Sequence, residues 1–259
     1  MLREVVARLG QGFRTADYPR VAPVLPPRYR GKPSLAEGQC EQGCASCVQA
    51  CPTGAVQADH GALGIDLGKC LFCGSCAQAC PSHRIEFTRE YRLAAAKRAD
   101  LWVQSGQADG IAAALHETTR RVFGRSLRLR QVSAGGCNAC EADVNVLGTL
   151  TFDIGRFGIE FVASPRHADG LLVTGPVPQN MALALKKTWD ATPAPRIVIA
   201  VGACAISGGP YAGNSQVRDG AEPSVPVDLF VPGCPPHPYT VLDGLLRMLG
   251  RIAEGGRRA

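Results

Sequence analysis

Twelve cysteines, most of them in a duplicated pattern, constrain this 259-residue chain more than any other feature. The run Cys44-Ala-Ser-Cys47-Val-Gln-Ala-Cys51-Pro52 recurs 29 residues later as Cys73-Gly-Ser-Cys76-Ala-Gln-Ala-Cys80-Pro81. A repeat this short buries too little apolar surface to be stable by hydrophobic packing alone. Because metal binding can supply the missing folding energy, we expect these cysteines to be metal ligands.

The compartment expected for the chain also favours metal over disulfides. Its longest apolar run, residues 197–206, is far shorter than the roughly 18 residues that a membrane span needs. The first thirty residues contain neither the apolar core of a signal peptide nor a twin-arginine export signal. We therefore expect a cytoplasmic chain without a transmembrane segment of its own, in a reducing environment where disulfides are rare.

The second copy of the repeat, Cys70-x2-Cys73-x2-Cys76-x3-Cys80-Pro81, has the spacing typical of proteins with two [4Fe–4S] clusters. In that pattern three closely spaced cysteines surround one cluster, and the fourth, followed by proline, ligates the other. The spacing therefore predicts two clusters with crossed ligands. Cluster 1 takes Cys40, Cys44, Cys47 and Cys80, and cluster 2 takes Cys51, Cys70, Cys73 and Cys76.

Two alternatives remain open for this region. Cys40 and Cys44 are separated by three residues instead of two, and Gly43 can absorb the resulting bulge. Cys40 is thus the least secure ligand of cluster 1, and a three-iron cluster is the alternative there. Paired Cys-x2-Cys motifs also occur in structural zinc sites, but these usually place two pairs far apart. A triplet followed by Cys-Pro, present twice, favours iron and sulfur.

From residue 126 onward, predicted strands alternate with predicted helices. The strands lie at 127–132, 159–163, 170–174, 196–201 and 227–231, and the helices at 140–150, 179–189 and 239–252. This alternation predicts an α/β fold with a flavodoxin-like, doubly wound parallel sheet. The cysteine repeat, in contrast, predicts a small α+β domain like that of a bacterial two-cluster ferredoxin.

Four cysteines remain in the α/β part, each just beyond the carboxyl end of a predicted strand. They are Cys137, Cys140, Cys204 and Cys234, and each group has neighbouring glycines. Ligands of open parallel sheets gather at these strand ends. A lone buried cysteine is usually only a small apolar residue. Four of them at one sheet edge predict a third [4Fe–4S] cluster, cluster 3, and the twelve cysteines then divide into three sets of four.

The sequence divides into four segments: an extended N-terminal arm (1–33), the two-cluster domain (34–90), a connector of two helices (91–125) and the α/β domain (126–259). The arm and residues 91–130 each carry a net charge of +5, whereas the two-cluster domain carries −3. Basic segments of this kind are either solvated or dock onto partner subunits or an anionic membrane surface. Residues 1–33 and 120–130 are the candidates for such contacts.

Two classes of ligand are not expected. An aromatic content of 6% argues against a nucleic-acid reader built on stacking side chains. No phosphate-binding loop or dinucleotide fingerprint is present, so nucleotide binding would belong to another subunit.

Residues 126–252 resemble the small subunit of group 4, energy-converting [NiFe]-hydrogenases, including that of formate hydrogenlyase, and more distantly the B-type (20 kDa) component of respiratory complex I. The resemblance lies in Gly135-Gly136-Cys137-Asn138-Ala139-Cys140-Glu141 and in residues 164–169, 202–209 and 231–236. Residues 34–98 resemble the two-cluster ferredoxin subunit of the same complexes, so the chain is similar to a fusion of two neighbouring subunits. The Cys137-x2-Cys140 spacing is that of the hydrogenases, because complex I proteins have adjacent cysteines there.

This resemblance implies an electron-transfer subunit of a complex that lies peripherally on the inner face of the cell membrane. Cys137, Cys140, Cys204 and Cys234 would ligate the cluster nearest a nickel–iron site in a separate large subunit, so this chain holds no complete active site. The implied partners are that large subunit, membrane subunits, and a further ferredoxin or a formate dehydrogenase as candidate donor.

The resemblance also implies roles for two residues at the partner interface. Glu141 would face the large subunit, and His167 would help to form an interface loop. The residues alone equally allow Glu141 to be an ordinary acid at the start of a helix. They also allow His167 to be a simple hydrogen-bonded partner of Asp169.

Two other functions stay open. One is a component of a complex I-like or hydrogenase-related quinone oxidoreductase whose large subunit lacks nickel. The other is a non-catalytic iron–sulfur sensor or a zinc-stabilised scaffold.

Overall fold

Small antiparallel sheets and two short helices organise the cysteine-rich half of the chain. The computed structural model describes residues 2–38, 40, 43–59, 62–105, 123–124 and 126–252. Strand β1 (Pro33–Leu35) pairs with β4 (Ile85–Phe87), and β2 (Val56–Asp59), β3 (Ala62–Asp66) and β5 (Trp102–Gln104) form a second sheet in the order β2-β3-β5. The short helices α2 (Ser46–Gln49) and α3 (Ser75–Ala79) contain Cys47 and Cys76 at equivalent places in the repeat.

A parallel sheet forms the centre of the other half. Its strands are β6 (Leu127–Ser133), β7 (Ile159–Phe161), β8 (Gly170–Thr174), β9 (Ile197–Val201) and β10 (Leu229–Val231). Within the described residues they lie in the order β7-β6-β8-β9-β10, and all pairings are parallel. This is the flavodoxin-like order, so the predicted fold class is confirmed.

Helices cover both faces of this sheet. They are α4 (Ala139–Val146), α5 (Gln179–Ala191), α6 (Ala203–Ser207) and α7 (Pro238–Met248). Every residue of β8 and β9 is buried, as expected for strands covered on two sides. Helices α4 and α7 pack on one face, and Leu185 of α5 packs on the other. None of the helices in the described ranges has the length and apolar character of a membrane span.

The two halves share a continuous apolar core and main-chain hydrogen bonds. Ala95 and Phe230 exchange N–H···O bonds of 2.9 and 2.8 Å, which attach the chain after the cysteine repeat to strand β10. The Phe230 and Ile206 side chains pack in the same cluster as Ile65 of β3. The relative position of the halves is therefore fixed by buried contacts.

The N-terminal arm differs from the extended segment that the sequence predicts. It begins with helix α1 (Leu2–Gln11), which buries none of its residues. Beyond that helix, the arm packs on its own chain: Tyr18 is buried and donates a hydrogen bond of 2.6 Å to Asp243 of α7. The amphipathic spacing of α1 was recognisable, but proline content alone does not reveal a segment that packs internally.

The prediction of two connector helices over residues 91–125 is wrong for residues 91–105. Only Arg98–Leu101 is helical there, as a single 3-10 turn, and β5 follows it directly. Strand β5 forms because Gly64 of β3 leaves space for the Trp102 indole; a Cβ at Gly64 would lie 2.0 Å from it. Residues 106–122 and 125 lie outside the described residues.

Candidate iron–sulfur sites

Cys51, Cys70, Cys73 and Cys76 lie together beside helix α3. Burial raises the pKa of Cys70 to about 12, and although the Phe72 N–H opposes this, the thiolates of Cys76, Cys51 and Cys73 raise it further. Backbone N–H groups also point at sulfur: Phe72 N lies 3.3 Å from Cys70 Sγ, and Ala55 N lies 3.2 Å from Cys51 Sγ. These are the ligands predicted for cluster 2, and the structure brings them into one group.

A buried turn holds this group in place. The Asp66 carboxylate accepts hydrogen bonds of 2.8 and 2.7 Å from the two terminal nitrogens of Arg98, and one of 2.9 Å from Gly68 N. The Asp66 carbonyl accepts a bond of 3.0 Å from Cys70 N. The approach to the first cysteine of the second copy is therefore fixed before any cluster binds.

Cys40, Cys47 and Cys80 form the centre of a second group beside α2. Burial raises the pKa of Cys47, and the nearby thiolates of Cys80 and Cys40 raise it further. Cys44 lies just before α2, with its sulfur 4.0 Å from Ser46 Oγ. This is the set predicted for cluster 1, with the crossed fourth ligand in place. Cys40, for which the sequence left most doubt, contacts the guanidinium group of Arg84 at 3.0 Å.

The remaining four cysteines line one cavity at the carboxyl edge of the parallel sheet. Cys137, Cys140, Cys204 and Cys234 share this cavity with backbone from Gly136, Gly175 and Gly233. Burial raises the pKa of Cys204 to about 11, followed by the charges of Cys234 and Cys137. The loops after β6, β9 and β10 thus converge as predicted. Helix α6, which contains Cys204, was not predicted because five residues are too short to show a period.

The walls of this cavity contain glycines that give space to sulfur. Gly202 has a φ of +92°, and a Cβ there would lie 2.5 Å from Cys140 Sγ. A Cβ at Gly209 would lie 2.9 Å from Cys204 Sγ. Four thiolate donors surrounded by bare backbone fit an iron–sulfur cluster, which takes four cysteine ligands and hydrogen bonds from backbone N–H groups.

Glu141 is buried directly beside the cavity. Its Oε1 accepts hydrogen bonds of 2.7 Å from Ser133 Oγ and 2.6 Å from Thr174 Oγ1. Burial alone would raise the pKa of Glu141, but the hydrogen bonds from Thr174 and Ser133 outweigh it and hold the pKa below its ordinary value. The other oxygen, Oε2, has no hydrogen-bond partner among the described residues. Glu141 is therefore an ionised carboxylate held against β6 and β8.

His167 does not join this group. It lies in a 3-10 turn, Pro165–His167, that precedes β8, and its side chain is exposed. Because the strands are parallel and the cysteines follow their carboxyl ends, His167 sits at the opposite edge of the sheet. The predicted hydrogen bond to Asp169 is not formed either, since an Asp169 oxygen accepts from Arg128 N at 2.7 Å.

The groups predicted for clusters 2 and 3 are neighbours in space. Burial raises the pKa of Cys234, as do the thiolates of Cys137, in its own group, and of Cys73, across the boundary between the domains. Between them, Ser207 Oγ of α6 donates a bond of 2.9 Å to Gly68 O. Across the described ranges no three His, Cys, Asp or Glu side chains come close enough to hold a single metal ion. The arrangement suits larger clusters placed in sequence.

Comparisons with known proteins agree with this geometry. Residues 137–248 match the family described as NADH ubiquinone oxidoreductase, 20 Kd subunit, and residues 39–85 match the 4Fe-4S dicluster domain. The probable membrane-bound hydrogenase subunit mbhJ of Pyrococcus furiosus is 40% identical over 134 residues, covering 52% of this chain and 80% of that protein. The B-type subunit of the NADH-quinone oxidoreductase of Clostridium beijerinckii is 43% identical over 118 residues, covering 45% and 70%.

Formate hydrogenlyase subunit 7 of Escherichia coli is 42% identical over 130 residues, or 50% of this chain, and the match spans about half (51%) of that protein. Fold, cysteine groups and relatives together define an iron–sulfur protein that transfers electrons as one subunit of an oxidoreductase complex. The chain belongs to the family of the 20 kDa subunit of NADH ubiquinone oxidoreductase, and its first half is a 4Fe-4S dicluster domain. The resemblance predicted from the sequence is confirmed.

Proposed function

We propose that this chain relays electrons through three [4Fe–4S] clusters, in the order cluster 1, cluster 2, cluster 3, to or from the active site of a separate large subunit. The carrying observation is the electrostatic contact between Cys73 and Cys234 across the domain boundary. It supports a direct step between clusters 2 and 3. Each cluster would accept and donate one electron, and the chain fixes the distances between them.

The exit of the relay is proposed at the open side of the third cavity. Cys137 and Cys234 are exposed, whereas Cys204 and Cys140 are more deeply placed. An exposed pair of ligands is suited to a large subunit that covers the cavity on assembly. We propose a nickel–iron large subunit, because the Cys137-x2-Cys140 spacing is the hydrogenase pattern and the relatives include a probable membrane-bound hydrogenase subunit and formate hydrogenlyase subunit 7. Glu141, next to Cys140, is proposed to support this surface.

The second contact is proposed for helix α1. Leu2, Val6 and Leu9 are 81%, 62% and 78% exposed, so an apolar stripe on this helix has no partner among the described residues. Arg3 and Arg8 flank the stripe. We propose that α1 docks onto a membrane subunit of the complex, which would hold the chain peripherally at the inner face of the cell membrane.

The test is anaerobic purification of the native complex followed by metal analysis and electron paramagnetic resonance. We expect about 12 iron and about 12 sulfide per copy of this chain, with nickel in the large subunit. Three reducible cluster signals, two of them magnetically coupled, would support the proposed order. A colourless, zinc-dominated protein would contradict the relay.

A second candidate function is a nickel-free quinone oxidoreductase of the complex I type. The 43% identity to the NADH-quinone oxidoreductase protein of Clostridium beijerinckii favours it. The same purification separates the two candidates, since this candidate requires the three clusters without nickel.

A further inference from the structure

The two copies of the cysteine repeat differ at one buried position. Counted from the fourth cysteine of each copy, Ala55 corresponds to Arg84. Both residues direct their backbone N–H at a cysteine: Ala55 N at Cys51 Sγ (3.2 Å) and Arg84 N at Cys80 Sγ (3.4 Å). The backbone roles are therefore equivalent, and only the side chain at cluster 1 adds a charge.

The Arg84 side chain makes three hydrogen bonds to one loop. Its Nη1 donates to Cys40 Sγ at 3.0 Å, and its Nη2 donates to the carbonyls of Ala36 at 2.9 Å and Gly38 at 2.5 Å. Its carbonyl accepts from Ala36 N at 2.9 Å. This is the loop that the extra residue between Cys40 and Cys44 makes irregular. Arg84 thus holds the cysteine whose spacing departs from the pattern.

The charge of Arg84 requires a counter-charge. The residue is only 6% exposed, and no ion pair with a carboxylate is found for it within the described ranges. Its Nε is buried, and no described residue accepts a hydrogen bond from it. A buried guanidinium group without a partner is costly. A cluster bound by four thiolates carries net negative charge and would supply the missing partner.

We infer that Arg84 positions Cys40 as the fourth ligand of cluster 1 and raises the reduction potential of that cluster above the value it would have with alanine, as in the other copy. The inference rests on the proposed function, since it requires cluster 1. Reduction adds one electron to a site that is already negative. A fixed positive charge and N–H donors at the ligand sulfur stabilise the reduced form more than the oxidised form.

The test is a redox titration of the full-length chain with dithionite, monitored by electron paramagnetic resonance, in the wild type and in Arg84→Met and Arg84→Gln. We expect cluster 1 of both variants to be harder to reduce by roughly tenfold in the equilibrium constant, which corresponds to about 59 mV for one electron. Clusters 2 and 3 keep their potentials. Conversion of cluster 1 alone to a three-iron form also supports the inference, because it shows that Cys40 has lost its support.

Arg84→Lys and Ala55→Gly serve as matched controls. Lysine keeps the charge but not the planar fork, so it should restore part of the potential shift. Ala55→Gly alters the equivalent position at cluster 2 without a change of charge and should leave cluster 1 unchanged. Three clusters with unaltered potentials and full iron content in both Arg84→Met and Arg84→Gln would overturn the inference. Fewer than three clusters in the wild type would instead refute the proposed function.

Discussion

Gly202 stands where the backbone passes closest to a ligand sulfur. We expect Gly202→Ala to prevent assembly of cluster 3, because its Cβ would lie 2.5 Å from Cys140 Sγ. About four of about twelve irons per chain should be lost, while the two clusters of the ferredoxin-like half remain. Iron and sulfide analysis of the purified variant measures this loss.

Gly213→Ala is the control for Gly202→Ala. Gly213 also has a positive φ, +79°, but a Cβ there meets no atom within 4 Å. It therefore tests the cost of backbone strain without contact to sulfur. Equal iron losses in the two variants would show that strain, and not the approach to Cys140, explains the effect.

At the residue level, the sequence predicted ligands better than the groups that surround them. The cysteines could be assigned because cluster geometry imposes fixed spacing, and Cys51 and Cys80 follow from the crossed pattern. Arg84 could not be assigned, since its meaning depends on a loop 44 residues earlier in the chain. Comparison of the two copies at Ala55 and Arg84 was the signal that could have identified it.

Helix α7 contains a buried ion pair that connects three parts of the chain. Asp243 accepts from Tyr18 of the arm at 2.6 Å and from Arg247 at 2.7 Å, and both side chains of the ion pair are almost fully buried. We expect Asp243→Asn to destabilise the protein by about 3–5 kcal/mol, because Arg247 loses its carboxylate inside the core. A lower apparent Tm under anaerobic conditions measures this.

An exposed ion pair of the same spacing provides the comparison. Lys186 and Asp190 of α5 are also four residues apart, but their side chains are 52% and 54% exposed. Asp190→Asn should cost less than about 1 kcal/mol, because water screens the pair. If both variants lowered the Tm equally, burial would not be the cause.

At the level of elements, the parallel sheet was predictable and the connector was not. Strand β8 was predicted with its observed bounds because a run of apolar residues between turns is typical of a strand buried on both faces. Strand β5 was missed because it has three residues and forms only against β3. Such short strands depend on a distant partner, which local pattern does not reveal.

Helix α1 allows a test of how the whole molecule attaches to its complex. Leu9→Asp should weaken the association of this chain with the membrane fraction, because it places a charge in the exposed apolar stripe. Iron content and apparent Tm should stay unchanged, since α1 buries no residue on this chain. Sedimentation of the complex with membranes measures the association.

Leu150→Asp is the matched control for that experiment. Leu9 and Leu150 have the same exposed fraction, 78%, but Leu150 lies outside α1. We expect normal membrane association from Leu150→Asp. Full association of the Leu9→Asp variant would reject α1 as the contact.

The paired strand segments at Ala95 and Phe230 have a consequence for control of the pathway. Two halves locked by main-chain hydrogen bonds and a common core cannot separate to interrupt current between clusters 2 and 3. The conducting path inside this chain is permanently closed, like a soldered joint. Any regulation of flow must therefore act at its two ends, where a donor arrives or the large subunit docks.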